Sequence, residues 1–147
     1  MPGALNSMKY DDEFLRDILE EVNVIALVGA SAKPERPSHT VMKYLLHKGY
    51  RVIPVNPNEA GGEILGETVY ASLADVEEVV DMVDIFRRSD AVPEIVEQAI
   101  EANARIIWMQ QGVVHTAAAK VAEEAGLRVV MDRCPKIEYE RLGLGAF

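Results

Sequence analysis

The chain of 147 residues reads as an α/β domain built on a five-stranded, doubly wound parallel sheet with helices on both faces. Two observations carry that reading. Five short runs are apolar along most of their length: Val24–Val28, Arg51–Val55, Met82–Phe86, Arg105–Met109 and Arg128–Met131. Segments with apolar residues at helical spacing separate them. Strands that lack polar alternation and are divided by helices imply a parallel sheet covered on both sides. Right-handed crossovers then make double winding the simplest topology. With the strands numbered along the chain, the expected order is 3-2-1-4-5.

Residues 1–10 are expected to be a flexible lead-in, 11–142 the domain itself and 143–147 a short tail. From Asp11 to Val22, the positions Phe14, Leu15, Ile18, Leu19 and Val22 recur at helical spacing with acids between them, a helix lying beside the sheet. After the first strand, Ser38–Lys48 is a helix with Ser38 as N-cap and Gly49 as its stop. Asn56-Pro57-Asn58 ends the second strand. Glu59–Tyr70, with Gly61, Gly62 and Gly66, is mostly loop with short extended pieces. Ser72 is expected to cap a short helix over Leu73–Val80. A helix from Pro93 to Ala104 has its proline in the first turn, where no N–H is missed. Val113–Ala125 is a helix closed by Gly126. Internal repeats and low-complexity segments are absent.

Composition narrows the function classes. Hydrophobic residues make up 49% and charged ones 27%, ordinary values for a soluble globular domain. No run approaches the roughly 18 apolar residues of a membrane span. The N-terminus lacks the basic-then-apolar layout of a secretory signal. A single cysteine cannot form an internal disulfide, so a cytoplasmic location is expected. The formal net charge of −9 argues against nucleic acid as a partner, because backbone binding needs clustered Lys and Arg.

In sheets of this class, ligands bind outside the carboxyl ends of the strands, where the strand order reverses. Five separate stretches converge there: the loop 29–38, Asn56-Pro57-Asn58, Arg87-Arg88, Gln110-Gln111-Gly112 and Asp132-Arg133-Cys134-Pro135. Lys33, Arg36, Arg87, Arg88 and Arg133 all fall on this edge. In so acidic a chain they suggest an anionic ligand with several phosphates, which Arg pairs with in two-point geometry. The plainer explanation is solvated loop charge balancing Glu35, Asp90 and Asp132.

The glycine loop separates ligands further. The dinucleotide pattern Gly-x-Gly-x-x-Gly needs its second and third glycines for pyrophosphate approach and helix packing. Ser31 and Pro34 stand there instead, and the loop is stiffened by Pro34 and Pro37. A nicotinamide site also usually has an acid at the end of the second strand, where this chain has Val55-Asn56-Pro57, with Glu59 a little further on. A nicotinamide dinucleotide is therefore disfavoured.

Catalytic groups are sparse. Cys134 follows a strand end and is read either as a buried cysteine in a turn fixed by Pro135 or as a thiol activated by Arg133 or Lys136. His39 opens a helix near the phosphate loop, His47 closes that helix, and His115 opens the helix after the fourth strand, near the ligand edge. Trp108 and Met109 read as core or cleft wall. No Ser-His-Asp set, zinc spacing or paired-carboxylate motif emerges.

Taken together, several segments give the chain a resemblance to the CoA-binding domain family of small single-domain proteins. More distantly, it is similar to the N-terminal CoA-binding domain of the succinyl-CoA synthetase α subunit. The segments are Ile25–Ser31, Val41–Leu45, Val52–Pro57, Gly66, Tyr70, Ser72–Val76, Asp84–Arg87, Trp108–Val113 and Met131–Pro135, spread over about residues 12–142. The resemblance implies a Rossmann-like domain holding coenzyme A along the strand ends. Gly29, Ala30, Ser31, Lys33 and Arg36 would hold the phosphates, and Val55, Asn56 and Pro57 would line the nucleotide side. Phe86 and Arg87 would flank the pyrophosphate or adenine. Met109, Gln110, Gln111 and Gly112 would meet the pantetheine arm. The synthetase's phosphorylated histidine belongs to a second domain that has no counterpart here.

The expected function is thus binding of coenzyme A or an acyl-CoA, for sensing or carrying, with no complete catalytic site and no metal. The alternatives are an NAD(P)-type nucleotide domain and a CoA-thiol redox protein using Cys134. The expected partners are CoA or acyl-CoA, with association into a homodimer or with another protein left open.

Overall fold

The computed structural model describes residues 9–145. Along the chain run α1 (Asp12–Glu21), β1 (Val24–Val28), α2 (Pro37–His47), β2 (Arg51–Val55), β3 (Glu63–Ile64), β4 (Glu67–Thr68), β5 (Met82–Ile85), α3 (Val92–Glu101), β6 (Ile106–Met109), α4 (Thr116–Glu124), β7 (Arg128–Val130) and α5 (Pro135–Arg141). Single 3₁₀ turns cover Leu73–Asp75 and Ser89–Ala91.

β2, β1, β5, β6 and β7, in that order, form one sheet, all pairs parallel. The α/β doubly wound class is as the sequence implies, and the strand order is not. In the notation above it is 2-1-3-4-5 rather than 3-2-1-4-5. Handedness rules fix the sense of a crossover but not the edge to which it returns, and β2 settles the edge. It contains Pro54, whose carbonyl accepts the Tyr70 N–H on the outer side. A strand residue's N and O point the same way, so the missing N–H also faces outward, as suits an edge strand. A full fifth strand cannot pair there. The chain covers that edge only with a bridge from Tyr70 to Val55 and returns β5 to the open side of β1.

Alternation along the strands feeds two cores. Ile25, Leu27, Met82, Ile106, Trp108 and Val130 face α1, α2 and α5, meeting Leu15, Ile18, Leu19, Val41, Met42 and Leu45. Ala26, Val28, Val83, Ile85, Ile107 and Met109 face α3 and α4, meeting Val92, Ile95, Val96, Ala118, Ala119 and Ala122.

Several local expectations change. Arg36, not Ser38, is the N-cap of α2; Pro37 takes the first helical position and Ser38 turns inward, buried. The helix expected over Leu73–Val80 is one 3₁₀ turn, after which the chain is extended. β-branched Val76, Val79 and Val80 disfavour further turns, and Glu78 is drawn out to Arg51. The extended pieces within 59–70 are the hairpin of β3 and β4. Leu65 and Gly66, both at positive φ, make the two-residue turn whose twist suits a hairpin. α5 has no counterpart among the sequence expectations. Residues 1–8 and 146–147, parts of the expected lead-in and tail, lie outside the described residues, while Tyr10 stacks on Phe14 and its hydroxyl accepts the Met131 N–H at 2.8 Å.

At the amino ends of the strands, charge ties the sheet. Asp81 Oδ2 accepts the N–H groups of Asn23 and Val24, each at 2.9 Å, and Oδ1 meets Arg105 at 3.0 Å. Arg105 and Arg128 also pair with Glu21 of α1. Burial raises the Asp81 carboxyl, but the two N–H groups and the guanidinium outweigh it and hold it below the usual carboxylate range. A carboxyl depressed in the folded state adds stability above its unfolded pKa and loses it as pH falls through the folded value. Asp81→Ala should therefore cost about 1–3 kcal/mol in urea unfolding at neutral pH, and the difference from wild type should shrink as the pH falls below the ordinary carboxylate range.

Candidate functional site

With the order β2-β1-β5, the chain leaves β1 toward one side and β5 toward the other, so the switch point opens between their carboxyl ends. Gly29 and Phe86 meet there. The Phe86 N–H donates to the Val28 carbonyl at 2.8 Å, extending the ladder by one residue. Gly29 has φ +94°, and a Cβ on it would stand 2.3 Å from the Phe86 carbonyl oxygen. The glycine is thus required twice, by its backbone conformation and by the approach of the neighbouring strand.

From this point the loop is held from within. The Gly29 and Ala30 N–H groups both donate to the Val55 carbonyl, at 2.9 and 3.4 Å. Asn56 Nδ2 donates to the Ala30 carbonyl at 2.8 Å, and its Oδ1 accepts the Asn58 N–H at 2.9 Å. The Ala32 N–H donates to Glu59 Oε1 at 3.2 Å, and the Lys33 N–H to Ser31 Oγ at 3.1 Å. A phosphate-cradling turn was expected; instead, four of its N–H groups already have protein acceptors. Asn56 and Glu59 act as buttresses of the loop, and Pro57 is exposed beside them.

The cations differ in their company. Arg88 pairs with Asp90 at 3.1 Å, the plain loop-charge explanation. Arg133 lies over the Tyr10 ring at 5.3 Å and donates to the Asp132 carbonyl, away from the loop. Arg51, Arg105, Arg128 and Arg141 are all in ion pairs. Among the described residues, none of the ion pairs involves Lys33, Arg36 or Arg87. These three are exposed. Lys33 and Arg36 lie in the loop that leads into α2, and the aliphatic stem of Arg87 passes 3.2 Å from the place a Gly29 Cβ would fill. Arg36 and Arg87 therefore share one end of the sheet.

The far side of the crevice is the turn after β6. The Gln110 N–H donates to the Ile85 carbonyl at 3.2 Å, and the Gln110 carbonyl accepts the Val113 N–H at 2.8 Å. The Gly112 N–H is held by Asp132 Oδ1 at 2.7 Å, which ties this turn to the end of β7. Gln111 and Gly112 are exposed and Gln110 is buried. Val55 and Met109, also expected at the site, have their side chains in the core facing α3 and α4 and offer the rim only backbone.

The possible reactive groups settle into structural roles. Cys134 is buried, 5% exposed, and caps the short α5. His115 is the N-cap of α4, its Nδ1 accepting the Ala118 N–H at 3.1 Å. Among the described residues, no group of three or more His, Cys, Asp or Glu could hold a metal ion, and no helix is long and apolar enough to cross a membrane. Sequence reading passed over Asp84. It sits in the middle of β5, fully buried, and neither carboxyl oxygen has a hydrogen-bond partner. Burial pushes its carboxyl well above the usual range. An acid inside an otherwise apolar strand was the signal that could have marked it.

Comparison with known proteins supplies the family. A model of the CoA binding domain matches residues 23–140. The chain belongs to the CoA-binding domain family. It is 38% identical over 125 residues to the uncharacterized protein YneT of Bacillus subtilis, covering 85% of this chain and 91% of that one. It is 32% identical over 87 residues to the α subunit of the ADP-forming acetate–CoA ligase I of Pyrococcus furiosus, covering 56% of this chain and 19% of the subunit. The chain spans about a fifth of the length of that ligase subunit. Among solved structures, a hypothetical protein from Pyrococcus horikoshii superposes with a TM-score of 0.87 at 44% identity, covering 92% of this chain and 94% of that one. An acetyl-coenzyme A synthetase of Candidatus Korarchaeum cryptofilum, in complex with phosphate and ADP, gives 0.67 at 26% identity, covering 77% of this chain and 26% of the synthetase.

Two glycines of the CoA-binding domain separate conformation from contact. Gly112 has φ +84° with open space around its missing Cβ, whereas Gly29 has both positive φ and the Phe86 carbonyl. Gly112→Ala should cost about 1–2 kcal/mol, the left-handed penalty alone. Gly29→Ala should cost clearly more in the same urea titration, and equal losses would mean that the β1–β5 contact relaxes.

Proposed function

We propose that this domain binds coenzyme A or an acyl-CoA along the carboxyl ends of its strands, sensing or carrying it without a complete catalytic site of its own. The observation that carries the reading is the company of the cations. In a chain of net charge −9, Lys33, Arg36 and Arg87 lie exposed at one end of the sheet and, among the described residues, in none of the ion pairs, while most other arginines are paired. Exposed cations without acids beside them are the groups a polyphosphate would neutralise. In this reading Lys33, Arg36 and Arg87 take the phosphates, with Gly29, Ala30 and Ser31 allowing close approach. Asn56 and Pro57 border the nucleotide, Phe86 offers an apolar face, and the Gln110–Gly112 turn meets the pantetheine arm. The acetate–CoA ligase activity of the relatives supports the choice of CoA over other polyphosphates, as does the absence of a dinucleotide glycine pattern.

The redox alternative draws little support from the geometry, because a thiolate must be accessible to exchange and Cys134 is buried. Calorimetric titration with CoA, ADP and NAD tests the reading: CoA should bind tightest, and equal affinity for NAD would overturn it.

Two variants probe the phosphate side. Arg87→Ala should weaken CoA binding by about 1.5–3 kcal/mol, the range for a charged hydrogen bond, with the melting temperature of the free protein unchanged. Glu59 places a carboxylate on the Ala32 N–H, where it competes with any incoming anion. Glu59→Gln should therefore strengthen binding of CoA and of inorganic pyrophosphate by up to about 1 kcal/mol, as expected for an exposed contact. Weaker binding would instead make Glu59 a support that the loop needs.

A further inference from the structure

Among the described residues, the buried side-chain atoms without a partner are few: both oxygens of Asp84 and Oε1 of Gln110. Asp84 lies in β5 and Gln110 directly follows the adjoining strand β6, on one face of the sheet. Asp84 alternates with Met82, which faces α1, α2 and α5, and it pairs in register with Leu27 on one side and Trp108 on the other. Gln110 lies two residues beyond Trp108, and its N–H continues the ladder to the Ile85 carbonyl, so the same alternation carries its side chain to that face. Strand spacing and rise put two such diagonal neighbours about 8 Å apart at Cα. A glutamine and an aspartate leaning toward each other span that gap.

With the Gln110 amide turned so that Oε1 lies inside, the two groups are complementary only when the carboxyl is protonated. An ionised Asp84 beside that oxygen leaves three stranded acceptor oxygens in the core. A protonated carboxyl supplies the one donor that Gln110 Oε1 lacks. No charge on the packed elements offers Asp84 another solution. Leu27 and Trp108 flank it, and α2 buries Ser38, Val41, Met42 and Leu45 beneath its half-buried His39. Among the described residues, the other titratable groups packed on this side are Tyr10, Tyr44, Tyr50, Tyr139, Cys134 and Glu138. The Tyr10 hydroxyl meets the Met131 N–H, the Tyr50 hydroxyl the Leu19 carbonyl, and Glu138 is taken by Arg141 at 2.9 Å. Burial alone accounts for the shift of the Asp84 carboxyl.

We propose that Asp84 is a neutral carboxylic acid that donates its proton to Gln110 Oε1, fixing the Gln110 amide at the floor of the crevice so that its NH₂ group faces the ligand. Asp84 is then a positioning residue, and the ligand half of the inference rests on the reading that this crevice takes CoA. The amide would serve a carbonyl acceptor, of which the pantetheine arm carries two. The bond also explains how a fully buried acid is tolerated: as the acid it is satisfied, and only as the anion is it stranded.

Infrared spectra of the free protein test the bond itself. A protonated-carboxyl band should be present at neutral pH, vanish in Asp84→Asn and shift in Gln110→Leu. Absence of the band, or a band indifferent to Gln110→Leu, overturns the proposal. Calorimetry with CoA tests the positioning. Asp84→Asn keeps a donor and should bind as wild type, whereas Asp84→Leu should bind about fivefold more weakly, the equivalent of one neutral hydrogen bond. Equal affinity of all three proteins overturns the positioning role. Folding retains a proton that the unfolded chain gives up above the ordinary carboxylate range, so wild-type stability should fall relative to Asp84→Asn as pH rises through that window. If wild type shows the band and its shift yet takes up no CoA, the ligand half fails and the buried bond stands.

Discussion

The close approach of β1 and β5 at Gly29 is the constraint on which the rest of the molecule turns. β1 has a neighbour on each side, and its carboxyl end is where the chain divides, α2 leading to β2 and the later strands lying beyond β5. A side chain at position 29 would strike the Phe86 carbonyl. Because none is there, the loop can fold back on the end of β2, donating two N–H groups to one carbonyl of Val55. That keeps the loop bearing Lys33 and Arg36 at the same end of the sheet as Arg87, which follows β5. The site is thus a consequence of strand packing before it is a matter of charge.

Charge is then sorted by the two ends of the sheet. At the amino ends, Asp81, Arg105, Glu21 and Arg128 form a network that satisfies backbone N–H groups and ties α1 to the strands. At the carboxyl ends, Arg88 meets Asp90, but among the described residues none of the ion pairs involves Lys33, Arg36 or Arg87. Exposed pairs contribute little to folding, so the separation has small energetic weight in the free protein. On the proposed reading, its larger effect would be on the local potential at the carboxyl-end rim, which would draw an anion there.

The layers and the five strands were legible because buried parallel strands carry a plain signal, apolar runs of strand length parted by helical spacing. The strand order was not, although Pro54 held the clue: a residue without an N–H marks an edge, and that places the third strand beside the first. The helix expected over Leu73–Val80 failed because spacing alone does not weigh three β-branched valines and a glutamate held by Arg51. At the candidate site, the placement of the loop and of Lys33, Arg36 and Arg87 at the carboxyl end of the sheet was legible from position relative to the strands. Arg88 and Arg133 were not distinguishable from them, because an ion pair with Asp90 and a ring contact with Tyr10 depend on packing. Val55 and Met109 were named from the family resemblance, and the alternation of the sheet places both side chains in the core.

The loop's own hydrogen bonds decide what kind of recognition the crevice can offer. In a glycine-rich phosphate loop, free N–H groups set the anion's position, and specificity for the pyrophosphate is built into the backbone. Here Val55, Glu59 and Ser31 accept those bonds from within. On the proposed reading, phosphate recognition would fall instead to long side chains, which follow an anion over several positions and discriminate weakly among polyphosphates. Discrimination must come from rigid groups, and the rigid polar groups of the crevice lie on its other side, where Gly112 is tied to Asp132 and Gln110 is sunk beside β5. The cationic side would supply attraction common to many nucleotides. The fixed side, meeting whatever extends beyond the phosphates, would select among them.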